Sequence, residues 1–522
     1  MNDPQITDLV IVGGGSAGWL TAGIIAAEHL KTEQSSSRVK VTLVEAPNIN
    51  TIGVGEGTWP SMRSTLKRIG LSETDFIRDC DVSLKQGTLF SGWTDGKDIY
   101  THPFTVPHAY SQHNLSRDWQ NKFSDLPFAE AVCPQSKLML KNQAPKKIST
   151  PEYSFNVNYG YHLDAGKFAE KLRSHCTLEL GVVHKKAEVI QVNSAENGDI
   201  RSLRLDTGES LTGDLFIDCS GSRCLLLGEH YGIPFKSIRD ILFNDSAIAS
   251  QVPYLSAGDS IASSTISTAQ KHGWIWDIGL PSRRGIGHVY SSRYTDADNA
   301  EVTLFKHIEK LVGSKIAKKV KMRRISFSPG HRQKFWHHNC VAIGMAAGFI
   351  EPLEASALVL VELSASMIAE QLPQNRKVMD IVSKRFNEKF LYRWDTIIDF
   401  LKLHYVLTKR EDSDYWRDNA NKNSIPESLS EKVELWRWQG PYHKDTMHVD
   451  EMFPSASYQY ILYGMGFKTN IGLSTKQSEV QTSKVAQELF DENLKYTNLL
   501  LNSMPSNRDF IEKVHQHGLQ KI

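Results

Sequence analysis

Net charge is almost absent from this sequence. The 522 residues carry 60 Lys and Arg against 59 Asp and Glu, a formal balance of +1. A surface without a dominant sign has no global field to attract nucleic acid or an anionic membrane, so neither is an expected partner. Cysteine is scarce and scattered: Cys80, Cys133, Cys176, Cys219, Cys224 and Cys340. Only Cys219 and Cys224 are close together, and with no histidine pair nearby their spacing is a poor zinc signature. The expectation is therefore buried, reduced thiols in a cytoplasmic protein and no metal site. Long apolar runs are also missing. The stretch from Leu9 to Ala27 is interrupted by three consecutive glycines, so it reads as strand, turn and helix, not as a membrane span. Met1-Asn2-Asp3-Pro4 has no basic region of the kind that opens a signal peptide.

What is present is ordinary globular material, with 40% hydrophobic residues. The length exceeds one average domain of about 150 residues. Asp8-Leu-Val-Ile-Val12 predicts a buried parallel strand, Gly13-Gly14-Gly15 a turn, and Ser16 to about Leu30 a helix. Val39 to Glu45 predicts a second strand, completing a βαβ unit. Arg201 to Thr212 predicts a hairpin turning at Asp206-Thr207-Gly208. Leu215–Asp218 and Val341–Gly344 predict further buried strands, the latter feeding a helix over about 356–371. From about residue 375 the pattern is helical and charged, with Trp394, Trp416, Trp436 and Trp438 among it. The fold class expected is α/β, grading to α+β. A Rossmann-type dinucleotide module is assembled over residues 1–375 from discontinuous segments, with an inserted substrate-contacting stretch at about 95–160. A mainly helical lobe over 376–522 covers the substrate site.

Gly13-x-Gly15-x-x-Gly18 follows a strand and opens a helix, and the next strand ends at Glu45. Gly13 permits the tight turn, Gly15 lets backbone approach a pyrophosphate, and Gly18 allows close helix–strand packing. Backbone N–H groups around Ser16 and Ala17 then face the phosphates at the helix N-terminus. Glu45 can accept hydrogen bonds from ribose hydroxyls. Asp218-Cys219-Ser220-Gly221 and Gly344-Met345-Ala346-Ala347-Gly348 resemble the second and third cofactor contacts of FAD-dependent monooxygenase-like folds. In single-component hydroxylases an Asp follows that last motif's first Gly; here it is Met345.

Three further segments, in order along the chain, make the sequence similar to the flavin-dependent tryptophan halogenases. They are Ile52-Gly53-Val54-Gly55-Glu56-Gly57-Thr58 with Lys85 downstream, Gly273-Trp274-Ile275-Trp276-Asp277-Ile278, and Phe349-Ile350-Glu351-Pro352-Leu353-Glu354. The resemblance implies that Gly53, Val54, Gly55 and Glu56 run along the flavin, with Gly344 and Ile350 also contacting it. It implies that Lys85 and Glu354 are catalytic, and that His102 and Phe104 flank the ring of an indole-like substrate. Trp274 and Trp276, two apart and on one face of a strand, are diagnostic of the family and are not assigned chemistry.

The chemistry implied is attack of halide on a flavin hydroperoxide to give hypohalous acid. Lys85 would deliver it, either by hydrogen bond from its ammonium or as a haloamine on a neutral amine. Glu354 would polarise the halogen or stabilise the cationic ring intermediate and take its proton. The resemblance further implies O2, a halide, and FAD supplied as FADH2 by a separate flavin reductase, since the chain has one dinucleotide fingerprint. A homodimer is compatible with all of this.

Two departures stand out. Ile278 is followed by Gly279 where the family has proline. The halide segment, Glu-Ser-Thr-Gly in the family, reads Glu354-Ala355-Ser356-Ala357. Ser356 and Ala357 retain the backbone donors for a halide, but Ala357 lacks the freedom of glycine, leaving chloride and bromide both open. A flavin hydroxylase on the same scaffold, or a flavin-binding protein without chemistry, are the alternatives.

Overall fold

The computed structural model describes residues 5–29, 39–48, 55–445, 448, 451–470, 472 and 476–521. The chain divides into two compact units. The first comprises residues 1–81, 163–237 and 328–394; the second comprises 82–162, 238–327 and 395–522. The stretch at 82–162 and the one at 238–327 thus group with the C-terminal helices, and the dividing point at 394 falls inside the helix Arg376–Val406.

The first unit is built on a six-stranded sheet. Its order is Trp336–His337, Cys340–Ala342, Leu215–Asp218, Asp8–Val12, Lys40–Glu45, Val183–Lys186. All neighbours are parallel except the Trp336–His337 edge. Leu9, Val10 and Ile11 are buried, the continuous apolar run required of a strand covered on both faces. Strand order reverses at Asp8–Val12: the chain moves first to Lys40–Glu45 on one side and later to Leu215–Asp218 on the other. In open α/β sheets the crevice at such a reversal, beyond the carboxyl ends of the strands, is where ligands bind.

The helix Ser16–Glu28 buries Trp19, Leu20, Ile24 and Ile25. Its last turn ends before Leu30, and the third predicted strand stops at Ala342 because Gly344 turns the chain at φ 68°. The hairpin appears as Ile200–Leu205 paired antiparallel with Ser210–Thr212.

The second unit holds a seven-stranded sheet. Its order is Met322–Ser326, Ser246–Val252, Arg284–Tyr290, Gly273–Gly279, Thr265–Gln270, Gly87–Ser91, Ile99–Pro103. The pairing of Thr265–Gln270 with Gly87–Ser91 is parallel and the others are antiparallel. The helix Ala297–Val312 buries Ala300, Leu304, Ile308 and Val312 against Ile248, Ile275 and Ile286. That four-residue spacing gives one apolar stripe on the helix. Beside this sheet, Ser83–Lys85 pairs antiparallel with the start of Gly160–Asp164, matching Ser83 to His162 and Lys85 to Gly160. Among the described residues no helix is long and apolar enough to cross a membrane.

Candidate functional site

The glycines of the first turn have separable duties. A Cβ on Gly13 would stand 2.1 Å from the carbonyl oxygen of Cys219, and one on Gly18 would stand 1.9 Å from that of Gly13. These contacts hold the first strand, its helix and the Leu215–Asp218 strand end together. At Gly15 a Cβ would meet nothing within 4 Å, and the backbone (φ −78°, ψ −177°) is one that alanine adopts. Gly15 therefore faces open space at the N-terminus of a 13-residue helix, which is the room a pyrophosphate needs. The residues fit a dinucleotide.

Gly15→Ala is expected to leave the melting temperature of the protein unchanged while weakening FAD binding about 10- to 100-fold, some 1.4–2.7 kcal/mol. Gly18→Ala is expected to destabilise the fold itself. Thermal melts paired with flavin fluorescence titrations check both.

A cavity of about 290 Å³ opens beside this turn, lined by Gly15, Ser16, Ala17 and Glu56, and by Gly344 and Ile350 from the third segment. A Cβ on Gly344 would come 2.8 Å from that of Ala17, so only glycine lets the third segment close on the helix start. Gly53 and Val54 lie outside the described residues; Gly55 and Glu56 form the short strand Gly55–Gly57. Burial, aided by the negative charge of Asp164, raises the Glu56 carboxyl to about 7.

Glu45 sits at its predicted strand end, with its side chain over Gly14. It is already engaged: His184 Nε2 lies 2.8 Å from its Oε2, and the His184 ring meets Trp19 edge to face at 4.9 Å. Sequence reasoning missed His184. Its only signal is that Val183–Lys186 extends the sheet next to Glu45, a pairing that no local pattern reveals.

Asp218 lies at the second expected contact, but its carboxylate is fully buried. It accepts from the backbone N–H of Leu226 (2.7 Å), Leu227 (2.9 Å) and Ser220 (3.1 Å), and from the Ser220 hydroxyl. These bonds organise the chain that follows the strand.

The Glu351–Ala357 segment leads into the helix Ser356–Glu370. Glu354 is buried, 4% exposed, and its backbone carbonyl accepts from the Trp59 indole N–H at 2.7 Å. The left-handed residue here is Ala355, at φ 54°. Ala357 lies within the helix and needs no glycine-like freedom, so the concern attached to it from sequence moves to Ala355. Ser356 and Ala357 both line the cavity. Two turns on, Glu362 is buried and accepts from the hydroxyls of Ser61 (3.1 Å) and Thr65.

Burial raises the Glu362 carboxyl from 4.5 to about 7 despite these hydrogen bonds. Between those values the folded chain holds a proton that the unfolded chain has released, so this group's contribution to stability falls as pH rises. Glu362→Gln is expected to gain on the wild type across that window and to level off above it. The gain is at most about 3 kcal/mol, read from urea unfolding at pH 5 and pH 8.

In the second unit the structure brings Lys85, His102 and Phe104 into one neighbourhood. Lys85 is 1% exposed, and its Nζ stands 5.3 Å from the centre of the Phe104 ring. Phe104 is tied back through its N–H to the Gln86 carbonyl at 2.9 Å. His102, on the Ile99–Pro103 strand, contacts the Ser457 hydroxyl at 2.9 Å, and its ring lies 5.7 Å from Phe400 and 6.1 Å from Tyr460. Ser457, Phe400 and Tyr460 escaped sequence reasoning because they come from distant C-terminal helices. Trp274 and Trp276 share a face of Gly273–Gly279, with ring centres 6.4 Å apart. Trp274 is fully buried beside Trp93, and Trp276 covers Gly287 across the strand. Both side chains pack this sheet.

Comparison with known proteins agrees along nearly the whole chain. Residues 8–476 match the tryptophan halogenase family model. Tryptophan 6-halogenase ThaL of Streptomyces albogriseolus is 31% identical, over 98% of this chain and 99% of its own. A crystal structure of a tryptophan halogenase from Shewanella frigidimarina has 49% identity and a TM-score of 0.95, over 99% of each chain. The flavin-dependent halogenase BrvH from Brevundimonas sp. has 31% identity and a TM-score of 0.86, over 98% of this chain and 100% of its own.

Proposed function

The chain belongs to the tryptophan halogenase family, a family of flavin-dependent enzymes, and on that premise we propose that it halogenates an indole-like ring through Lys85, using FADH2 supplied by a separate reductase. The bound flavin, with O2 and chloride or bromide, supplies hypohalous acid. Everything else falls to the chain's own residues. Gly15, Ser16 and Ala17 receive the pyrophosphate, and Glu45 the ribose. Gly55, Glu56, Gly344 and Ile350 border the rest of the cofactor, as Gly53 and Val54 do by resemblance. The N–H groups of Ser356 and Ala357 offer donors to the halide. His102 and Phe104 hold a flat, electron-rich ring by offset stacking. Lys85 holds the oxidant by its buried amine, and Glu354 accepts the proton that the ring loses. Six buried free thiols support a reducing compartment such as the cytoplasm.

One observation carries this assignment: a lysine 1% exposed whose amine faces an aromatic ring at 5.3 Å. Burial keeps this amine from bulk water, and it stands beside Phe104, assigned to hold the substrate ring. The test incubates the protein with indole or tryptophan, FAD, NADH, a flavin reductase, and bromide or chloride, followed by mass spectrometry. Halogenated product is expected. Hydroxylated product formed with or without halide would identify a hydroxylase. Flavin binding without any product across a panel of aromatics would identify a binding protein.

A further inference from the structure

His162 is the buried group next to Lys85 that the chemistry above leaves unused. It is fully buried, as Lys85 nearly is. The antiparallel register sets Ser83 opposite His162 and Lys85 opposite Gly160. Ser83 and Lys85 project to the same face of their strand, so Lys85 and His162 are diagonal neighbours, a separation long side chains cross. Gly160 offers no side chain to come between them.

One nitrogen of His162 is committed: Nε2 lies 2.8 Å from the Thr265 hydroxyl. The other, Nδ1, is buried and has no hydrogen-bond partner among the described residues. Leaving a buried polar atom unpaired costs on the order of 1–3 kcal/mol, so its persistence calls for a partner present during the reaction cycle.

We propose that His162 is a positioning residue for Lys85, clamped by Thr265 so that Nδ1 presents its lone pair as an acceptor for the lysine ammonium. The inference rests on the assignment of Lys85 above. In that arrangement the Thr265 hydroxyl accepts the Nε2 hydrogen and Nδ1 is bare. A cation nearby favours that tautomer, because a lone pair and not a hydrogen then faces the charge. Lys85 thereby has two stations: over Phe104, where it stands in this structure, and at Nδ1 of His162. Holding the ammonium at the second station orients it between turnovers without neutralising it. The surroundings agree. Burial holds the imidazole well below its usual range, and the Lys85 charge lowers it further. Among the described residues Lys85 is the charged group acting on it, and Thr265 is the polar contact from the adjoining sheet strand.

The test has two arms. In protein labelled with carbon-13 histidine, the His162 resonance, assigned by its loss in His162→Gln, is expected to stay neutral through pH 6. In Lys85→Met its titration midpoint should move upward. A midpoint unmoved by Lys85→Met would overturn the proposal, and this arm needs no halogenation.

In the second arm His162→Gln is expected to lower halogenated product per flavin oxidised about 10-fold, with KM for the aromatic unchanged. The amide of His162→Gln reaches where Nε2 stood and keeps the Thr265 contact without the acceptor, whereas the shorter His162→Asn puts its amide oxygen where Nδ1 stood and keeps the acceptor without the clamp. His162→Asn should therefore retain more product than His162→Gln; wild-type yield in His162→Gln would refute the assignment. Failure of the halogenase reading would instead appear as absence of product from the wild type.

Discussion

Lys85→Met is expected to lower halogenated product at least ~1000-fold while FADH2 continues to be oxidised by O2, the scale on which removing a group that acts in the transition state registers. Methionine matches the length and apolar stem of lysine, so packing over Phe104 is preserved and only the amine is lost. The oxidant would then form and escape unused. Measuring product by mass and peroxide by a coupled assay, against flavin consumed, separates the two fates. Full halogenation by Lys85→Met would remove this residue from the mechanism, whichever way its amine was thought to act.

Asp218→Ala is expected to lower unfolding free energy by about 3–5 kcal/mol, the range for stripping a buried charge site of its partner. Three backbone N–H groups and a serine hydroxyl converge on that carboxylate, and alanine would orphan them in a buried location. Asp218→Asn keeps one acceptor oxygen and should fall between the two. Urea unfolding measures the loss. Flavin affinity measured under native conditions should drop as a consequence, because Cys219, which abuts Gly13, follows directly on Asp218. A variant as stable as the wild type would show that the segment after the strand organises itself without this anchor.

These two residues illustrate what a linear pattern reveals. Lys85 carries no local signature, since most lysines are solvated. It was legible only through its place downstream of the Gly53–Glu56 segment. Asp218 was noticed only as part of a motif: Cys219 and Gly221 of that motif line the cavity, while the carboxylate anchors the chain that follows the strand. Glu45 was placed correctly at its strand end, but its histidine partner lies 139 residues away, beyond the reach of any periodicity.

The sequence by itself determined the first βαβ unit, the glycines that shape its turn, the order of the motifs, and through them the family. These features depend on backbone conformation and on contacts among near neighbours, which residue type and spacing encode directly. Only the tertiary structure decided how the chain is partitioned, with residues 82–162 and 238–327 grouped with the C-terminal helices. It alone put the left-handed strain at Ala355 and not at Ala357, gave Glu362 its buried hydroxyl partners, and set a buried histidine diagonally across from Lys85 on the neighbouring strand. Each of these depends on which distant segments share a low-dielectric interior. There the cost of an unpaired polar group is set by its neighbours in space, and those neighbours are not written in the order of the residues.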